Sequence, residues 1–128
     1  MNCLVLIMVL DGCSVEALRR AETPFIDGLL ENGAHTFKCK SVFPSATYAA
    51  HSSIITGAKP CEHGIVGNSF YDREAGRLID LDAEGADRYL QAQTIFDREP
   101  GPSLAVGEPI TRGADIIVSK AEVQARPL

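Results

Sequence analysis

A chain of 128 residues is long enough to bury a core and corresponds to one domain or part of one. With 45% hydrophobic and 23% charged residues and no low-complexity tract it is not a disordered chain; a net charge of -5, with Lys and Arg scattered singly or in pairs, excludes the basic stripe of a nucleic-acid-binding face. Cys3, Cys13, Cys39 and Cys61 form no C-x-x-C pair, which excludes a thiol redox motif or a zinc knuckle and predicts reduced thiols in a cytoplasmic protein.

Cys3 to Leu10 is a continuous apolar run, too short to span a membrane and without the basic flank of a signal peptide. It predicts a strand covered on both faces in a parallel sheet. The run ends in Asp11-Gly12, and an acidic residue at the carboxyl end of such a strand sits where open α/β sheets bind ligands. Asp11 fits equally well as a cap for the turn into the next helix. Ser14 to Arg20 predicts a helix capped by Ser14, and Thr23-Pro24 restarts it, with Pro at the first helical position. Phe25, Ile26, Leu29 and Leu30 give the stripe of a helix packed on a sheet, closed by Asn32-Gly33. Ala34 to Val42 reads as a second strand. The order strand, helix, strand, helix predicts an α/β fold, a layered sheet with helices on both faces.

Phe43-Pro44-Ser45-Ala46 reads as an extended loop, because Pro44 biases Phe43 away from helical angles. A helix can then start at Thr47 and run to Thr56, stopped by Gly57 as a C′ glycine. Such a start offers unpaired N–H groups and a partial positive charge, which favour phosphate or a developing alkoxide. Thr47 also fits a plain N-cap. Ala58 to Gly67 reads as a loop and Phe70 to Ile79 as a hairpin turning near Glu74 to Gly76. Short helical pieces are expected around Tyr89-Leu90 and Thr94-Ile95-Phe96, a break at Pro100-Gly101-Pro102, and short strands at Leu104 to Gly107 and Asp115 to Val118, after which Arg126-Pro127-Leu128 ends the chain. There is no internal repeat and no linker, so residues 1–128 read as one piece.

Asp11-Gly12 after the apolar run, TPFIDGLLENGA, FPSAT, SIITG and HGIVGNSFYD resemble, in order and spacing, the N-terminal part of the type I phosphodiesterase/nucleotide pyrophosphatase family of the alkaline phosphatase superfamily. GNSFYDREAGRLIDLD followed by Thr94-Ile95-Phe96 resembles phosphonoacetate hydrolases, which cleave a carbon–phosphorus bond. The resemblance covers residues 4–107 and is specific between Phe43 and Asp72. It implies a two-zinc hydrolase in which Asp11 binds one metal, Thr47 is both ligand and nucleophile, and Asn68 donates a hydrogen bond to a phosphoryl oxygen. The chemistry suits those residue types: a divalent cation lowers the pKa of a threonine hydroxyl towards alkoxide, a carboxylate is a fitting metal ligand, and an amide N–H stabilises charge on non-bridging oxygens.

Tyr48-Ala49-Ala50 departs from the Phe-Pro-Asn common in nucleotide pyrophosphatases, which alters the substrate-side helix. His51 lies one turn into the helix and His63 falls in the family's structural His-Gly turn, so neither is expected as a ligand. The remaining ligands would come from an Asp-x-x-x-His segment and an Asp-His pair, which these residues lack. The expectation is therefore the N-terminal part of an alkaline phosphatase-like hydrolase domain. Its partner would be a small phosphate or phosphonate ester, with no nucleic acid and no membrane, and its open sheet edges would invite association between copies. The alternatives are carbon–phosphorus bond cleavage, or a non-catalytic fragment that binds anions or a partner.

Overall fold

A computed structural model describes residues 4–98 and 101–125. Cys3, Pro100 and Arg126-Pro127-Leu128 lie outside the described residues. The chain divides into two units, Met1–Lys40 and Ser41–Leu128.

In the first unit, helix α1 (Val15–Arg20) starts where Ser14 Oγ accepts the Ala17 N–H at 3.1 Å, the expected cap. Helix α2 (Pro24–Asn32) follows with Pro24 in its first turn and Gly33 at its C-cap. Thr23 holds the cap position without capping the backbone, its hydroxyl donating instead to Asp27 Oδ1 at 3.2 Å. Ile26 and Leu30 are half-buried, while Phe25 and Leu29 stay exposed.

Two expectations fail here. Leu4 to Leu10 and Ala34 to Val42 carry no strand, and Leu4 is 93% exposed. An apolar run supplies strand character, but a strand exists only where a second backbone takes up its N–H and C=O groups, and among the described residues none pairs with either segment. The strands found among the described residues form two small two-stranded sheets, both in the second unit.

That unit opens with α3 (Thr47–Thr56), stopped by Gly57 at φ 68° with its N–H on Ser53 O at 2.9 Å. The expected loop beyond it contains one helical turn, α4 (Pro60–His63), where Pro60 leads and Glu62 Oε2 accepts the Lys59 N–H at 2.8 Å. Strands β1 (Ser69–Asp72) and β2 (Arg77–Asp80) form the expected antiparallel hairpin, Phe70 opposite Ile79. Its turn is set by Asp72 Oδ1, which accepts the Glu74 and Ala75 N–H groups at 2.9 and 3.0 Å.

Short helical pieces follow: α5 (Leu81–Glu84) and a 3-10 turn (Ala86–Arg88) fall ahead of the expected Tyr89-Leu90, and α6 (Ile95–Arg98) falls on the expected Thr94-Ile95-Phe96. Strands β3 (Leu104–Val106) and β4 (Ile116–Val118) pair in parallel, Ala105 opposite Ile117. Helix α7 (Lys120–Gln124) was not expected, although Ser119 and Glu122 form a capping box legible in the sequence.

The core collects Ile55, Ile65, Ile79, Leu81, Ala86, Leu90 and Ile110, with Tyr48, Phe70, Tyr89 and Phe96 packed against it. Each fully buried aliphatic side chain stabilises the fold by about 1.5–3 kcal/mol. One side of α3 lies in this unit's interior through Ala49, His51, Ser52, Ile55 and Thr56, which fixes the helix that begins at Thr47.

Candidate functional site

The start of α3 is an incomplete cap that another segment completes. The Phe43-Pro44 peptide is cis, and Ala46, extended at φ -75° and ψ 151°, occupies the N-cap. Alanine has no side-chain acceptor, so the orphan N–H groups of the first turn need one from elsewhere. Asn68 supplies it: its Oδ1 accepts the Tyr48 N–H at 3.2 Å. Because that N–H demands an acceptor, the amide's oxygen faces the helix and Nδ2–H2 is its donor end. Asn68 is held there by its own carbonyl, which accepts the Leu81 N–H at 3.0 Å at the end of the hairpin.

Thr47, half-buried, is thus the first residue inside α3 and not its N-cap, which corrects the plain-cap reading. Thr47 and Asn68 meet at one helix start although they lie far apart in sequence. Asp11 belongs to the first unit, exposed in the Asp11-Gly12 turn, where Gly12 adopts φ 70° and the Cys13 N–H reaches Leu10 O at 3.3 Å.

Several polar side chains around α3 are paired, although the fully buried Ser52 Oγ has no hydrogen-bond partner among the described residues. The Tyr48 phenol donates to Asp82 Oδ1 at 2.9 Å; burial, and then that carboxylate, push its pKa up to about 12. His63 is fully buried, with Nδ1 accepting the Ile65 N–H at 3.1 Å, so its Nε2 carries the proton and donates to Ser53 Oγ at 2.9 Å. Burial lowers the His63 pKa. Gly64, next in the chain, sits at φ 81°, so the His-Gly pair is the turn the sequence suggested.

His51 is buried, and its Nδ1 lies 2.9 Å from both Glu108 Oε1 and Glu108 Oε2. Glu108 carried no signal in the sequence, because its partner is 57 residues away.

A tetrahedral zinc site takes about four ligands. Asp11 and Thr47 fall in different units, and no group of three or more His, Cys, Asp or Glu among the described residues could hold a metal ion. The donors present do not by themselves fit a two-zinc centre. No helix is long and apolar enough to cross a membrane among the described residues.

This α/β chain brings a hydroxyl residue, Thr47, and a loop amide, Asn68, to the start of one ten-residue helix. The sequence model for "Type I phosphodiesterase / nucleotide pyrophosphatase" matches residues 5–120, and the chain belongs to that family of hydrolases. It is 29% identical over 119 residues to the Bos taurus ectonucleotide pyrophosphatase/phosphodiesterase family member 3, covering 90% of this chain and 14% of that protein. Among solved structures it is similar to murine ectonucleotide pyrophosphatase/phosphodiesterase 5, with a TM-score of 0.59 and 27% identity over 74% of this chain and 26% of that one. It also matches the phosphonoacetate hydrolase of Sinorhizobium meliloti 1021, with a TM-score of 0.45 and 30% identity over 57% of this chain and 19% of that one. The expected recognition and the α/β, alkaline phosphatase-like class stand on the family match and the first of these structures. The chain spans 14–15% of the length of the curated relatives it matches first.

Proposed function

We propose that the protein hydrolyses phosphodiester or pyrophosphate bonds with Thr47 as nucleophile. One observation carries the reading: Thr47 opens a ten-residue helix whose next N–H is held by Asn68, so a hydroxyl and an amide donor share one anion-receptive end. The Thr47 oxygen forms a bond to phosphorus as its hydroxyl proton is given up, and the ester oxygen leaves with its electron pair and takes that proton. Water then attacks phosphorus, the threonine–phosphorus bond breaks with its electron pair going to the Thr47 oxygen, and a proton from that water restores the Thr47 hydroxyl. Asn68 Nδ2–H2 donates to a non-bridging oxygen as charge grows there. Asp11 and Thr47 are metal-ligand candidates only together with residues outside this chain, zinc being the ion that the family resemblance implies. Reduced thiols and a cytoplasmic setting belong to the same proposal, as does a small phosphate or phosphonate ester as substrate.

A second reading has its own support. With no metal cluster among the described residues, the 128-residue chain by itself fits a non-catalytic anion- or partner-binding piece. The test is Thr47→Ala in a protein carrying the whole family domain, assayed with a chromogenic phosphodiester and by mass spectrometry for phospho-threonine. Turnover and the adduct should both vanish; a variant with full turnover overturns the nucleophile assignment. Faster cleavage of a phosphonate than of any diester would move the substrate to the carbon–phosphorus class.

A further inference from the structure

We propose that His51 and Glu108 form a positioning pair that fixes the start of α3, and with it Thr47; the role for Thr47 rests on the function proposed above. His51 follows Thr47 by four residues, which places the two on one helix face about 6 Å apart along the axis. Helical side chains lean towards the N-terminus, so the His51 ring covers the turn that begins at Thr47.

An ionised carboxylate only accepts, so the His51 Nδ1 donates, and with both Glu108 oxygens at 2.9 Å the ring is held in one orientation. The side chains are 11% and 14% exposed, so water competes little for the contact.

Glu108 is itself held firmly. Its Oε1 accepts the Ile110 N–H at 3.4 Å, and Ile110 is fully buried in the core. Next to it, Asp87 accepts the Thr111 N–H at 3.1 and 3.2 Å and the Thr111 hydroxyl at 2.9 Å. Glu108 therefore projects from a link anchored on both the core and the 3-10 turn, and the pair carries that fixed point to the first turn of α3. Neither residue is assigned contact with substrate.

Two preparations test this. In the 128-residue chain, amide exchange is followed at Tyr48 and Ala50, whose N–H groups bond Asn68 Oδ1 and Ala46 O. Gly85 and Gln91, bonded to Leu81 O and His63 O, serve as controls. The variants are His51→Asn, Glu108→Gln and the double His51→Leu/Glu108→Leu, which leaves no charge buried without its partner. Tyr48 and Ala50 should exchange at least about tenfold faster in His51→Asn and in the double variant, with the controls unchanged and Glu108→Gln, which keeps one acceptor, close to the parent. In a protein carrying the whole family domain, the same two variants should lower kcat about tenfold or more with KM within about twofold. Unchanged exchange at Tyr48, or a rise shared equally by the controls, would overturn the proposal, the latter by making the pair a global stabiliser. Thr47→Ala is assayed alongside: if it keeps turnover, the nucleophile reading fails while the exchange result still decides the pair.

Discussion

Asn68 has two ends, and substitutions can remove them separately. In Asn68→Ala both are lost: the Tyr48 N–H loses its acceptor, which costs about 1 kcal/mol, and the donor end disappears. For a folded unit of this size that lowers Tm by about 4–8 °C. Asn68→Asp keeps an acceptor for Tyr48 and puts negative charge at a helix N-terminus, worth about 0.3–1 kcal/mol, so its Tm should equal or exceed that of the parent. Both variants lack Nδ2–H2, and both should lose on the order of a hundredfold in kcat with a smaller change in KM. Melting of the 128-residue chain by circular dichroism reads the first quantity, and steady-state hydrolysis of a chromogenic phosphodiester by the full family domain reads the second. A variant pair that melts alike refutes the docking of Asn68 on α3. An Asn68→Asp enzyme with parental kcat refutes the transition-state role.

Thr47→Ala should cost less stability than removal of a cap side chain, about 1 kcal/mol, since Ala46 and not Thr47 holds the cap; denaturant titration checks this. Because burial lowers the His63 pKa, the unfolded chain binds the proton first, so stability should be full above the ordinary value of 6.5 and fall as pH drops below it towards the depressed folded value. His63→Gln should flatten the denaturant midpoint measured between pH 8 and 5, and a parent curve already flat over that window would contradict the assignment. Gly113 adopts φ 87°, and a Cβ there would lie 2.6 Å from Asp97 Oδ1 and 3.0 Å from the Asp97 nitrogen, so Gly113→Ala should destabilise by about 1–3 kcal/mol in a thermal melt. Calorimetric titration of the 128-residue chain with zinc should show weak binding; tight uptake of two ions with turnover would mean that the chain, alone or with a second copy, supplies a full ligand set.

What the sequence made legible is what neighbouring residues decide among themselves. Ser14, Pro24, Gly57 and the Asp72 turn act within a few positions, and each lies where the sequence placed it. The strands expected at Cys3 to Leu10 and Ala34 to Val42 depended on distant partners, which an apolar run cannot specify. The candidate site divides in the same way. Thr47 was readable as a helix start from Pro44 and Gly57, whereas its exact place one residue inside the cap depends on where the backbone leaves the extended form. The Asn68 contact with Tyr48 and the Glu108 contact with His51 span 20 and 57 residues, and no periodicity or spacing encodes either.

The nine-residue link between β3 and β4, Gly107 to Asp115, joins two parallel strands while binding much of its own unit. Glu108 takes His51, Ile110 enters the core, Thr111 takes Asp87, and the Arg112 guanidinium donates to Leu90 O at 2.8 Å and to Ala92 O. The Arg73 to Gly76 turn of the hairpin is exposed throughout and bound mainly through Asp72. A peptide tag or fluorophore-binding insert is therefore tolerated at Glu74-Ala75, where the added chain costs only loop entropy, and is rejected between Glu108 and Arg112, where each added residue pulls a different segment out of register. For labelling or splitting this chain, the hairpin turn is the permissive position.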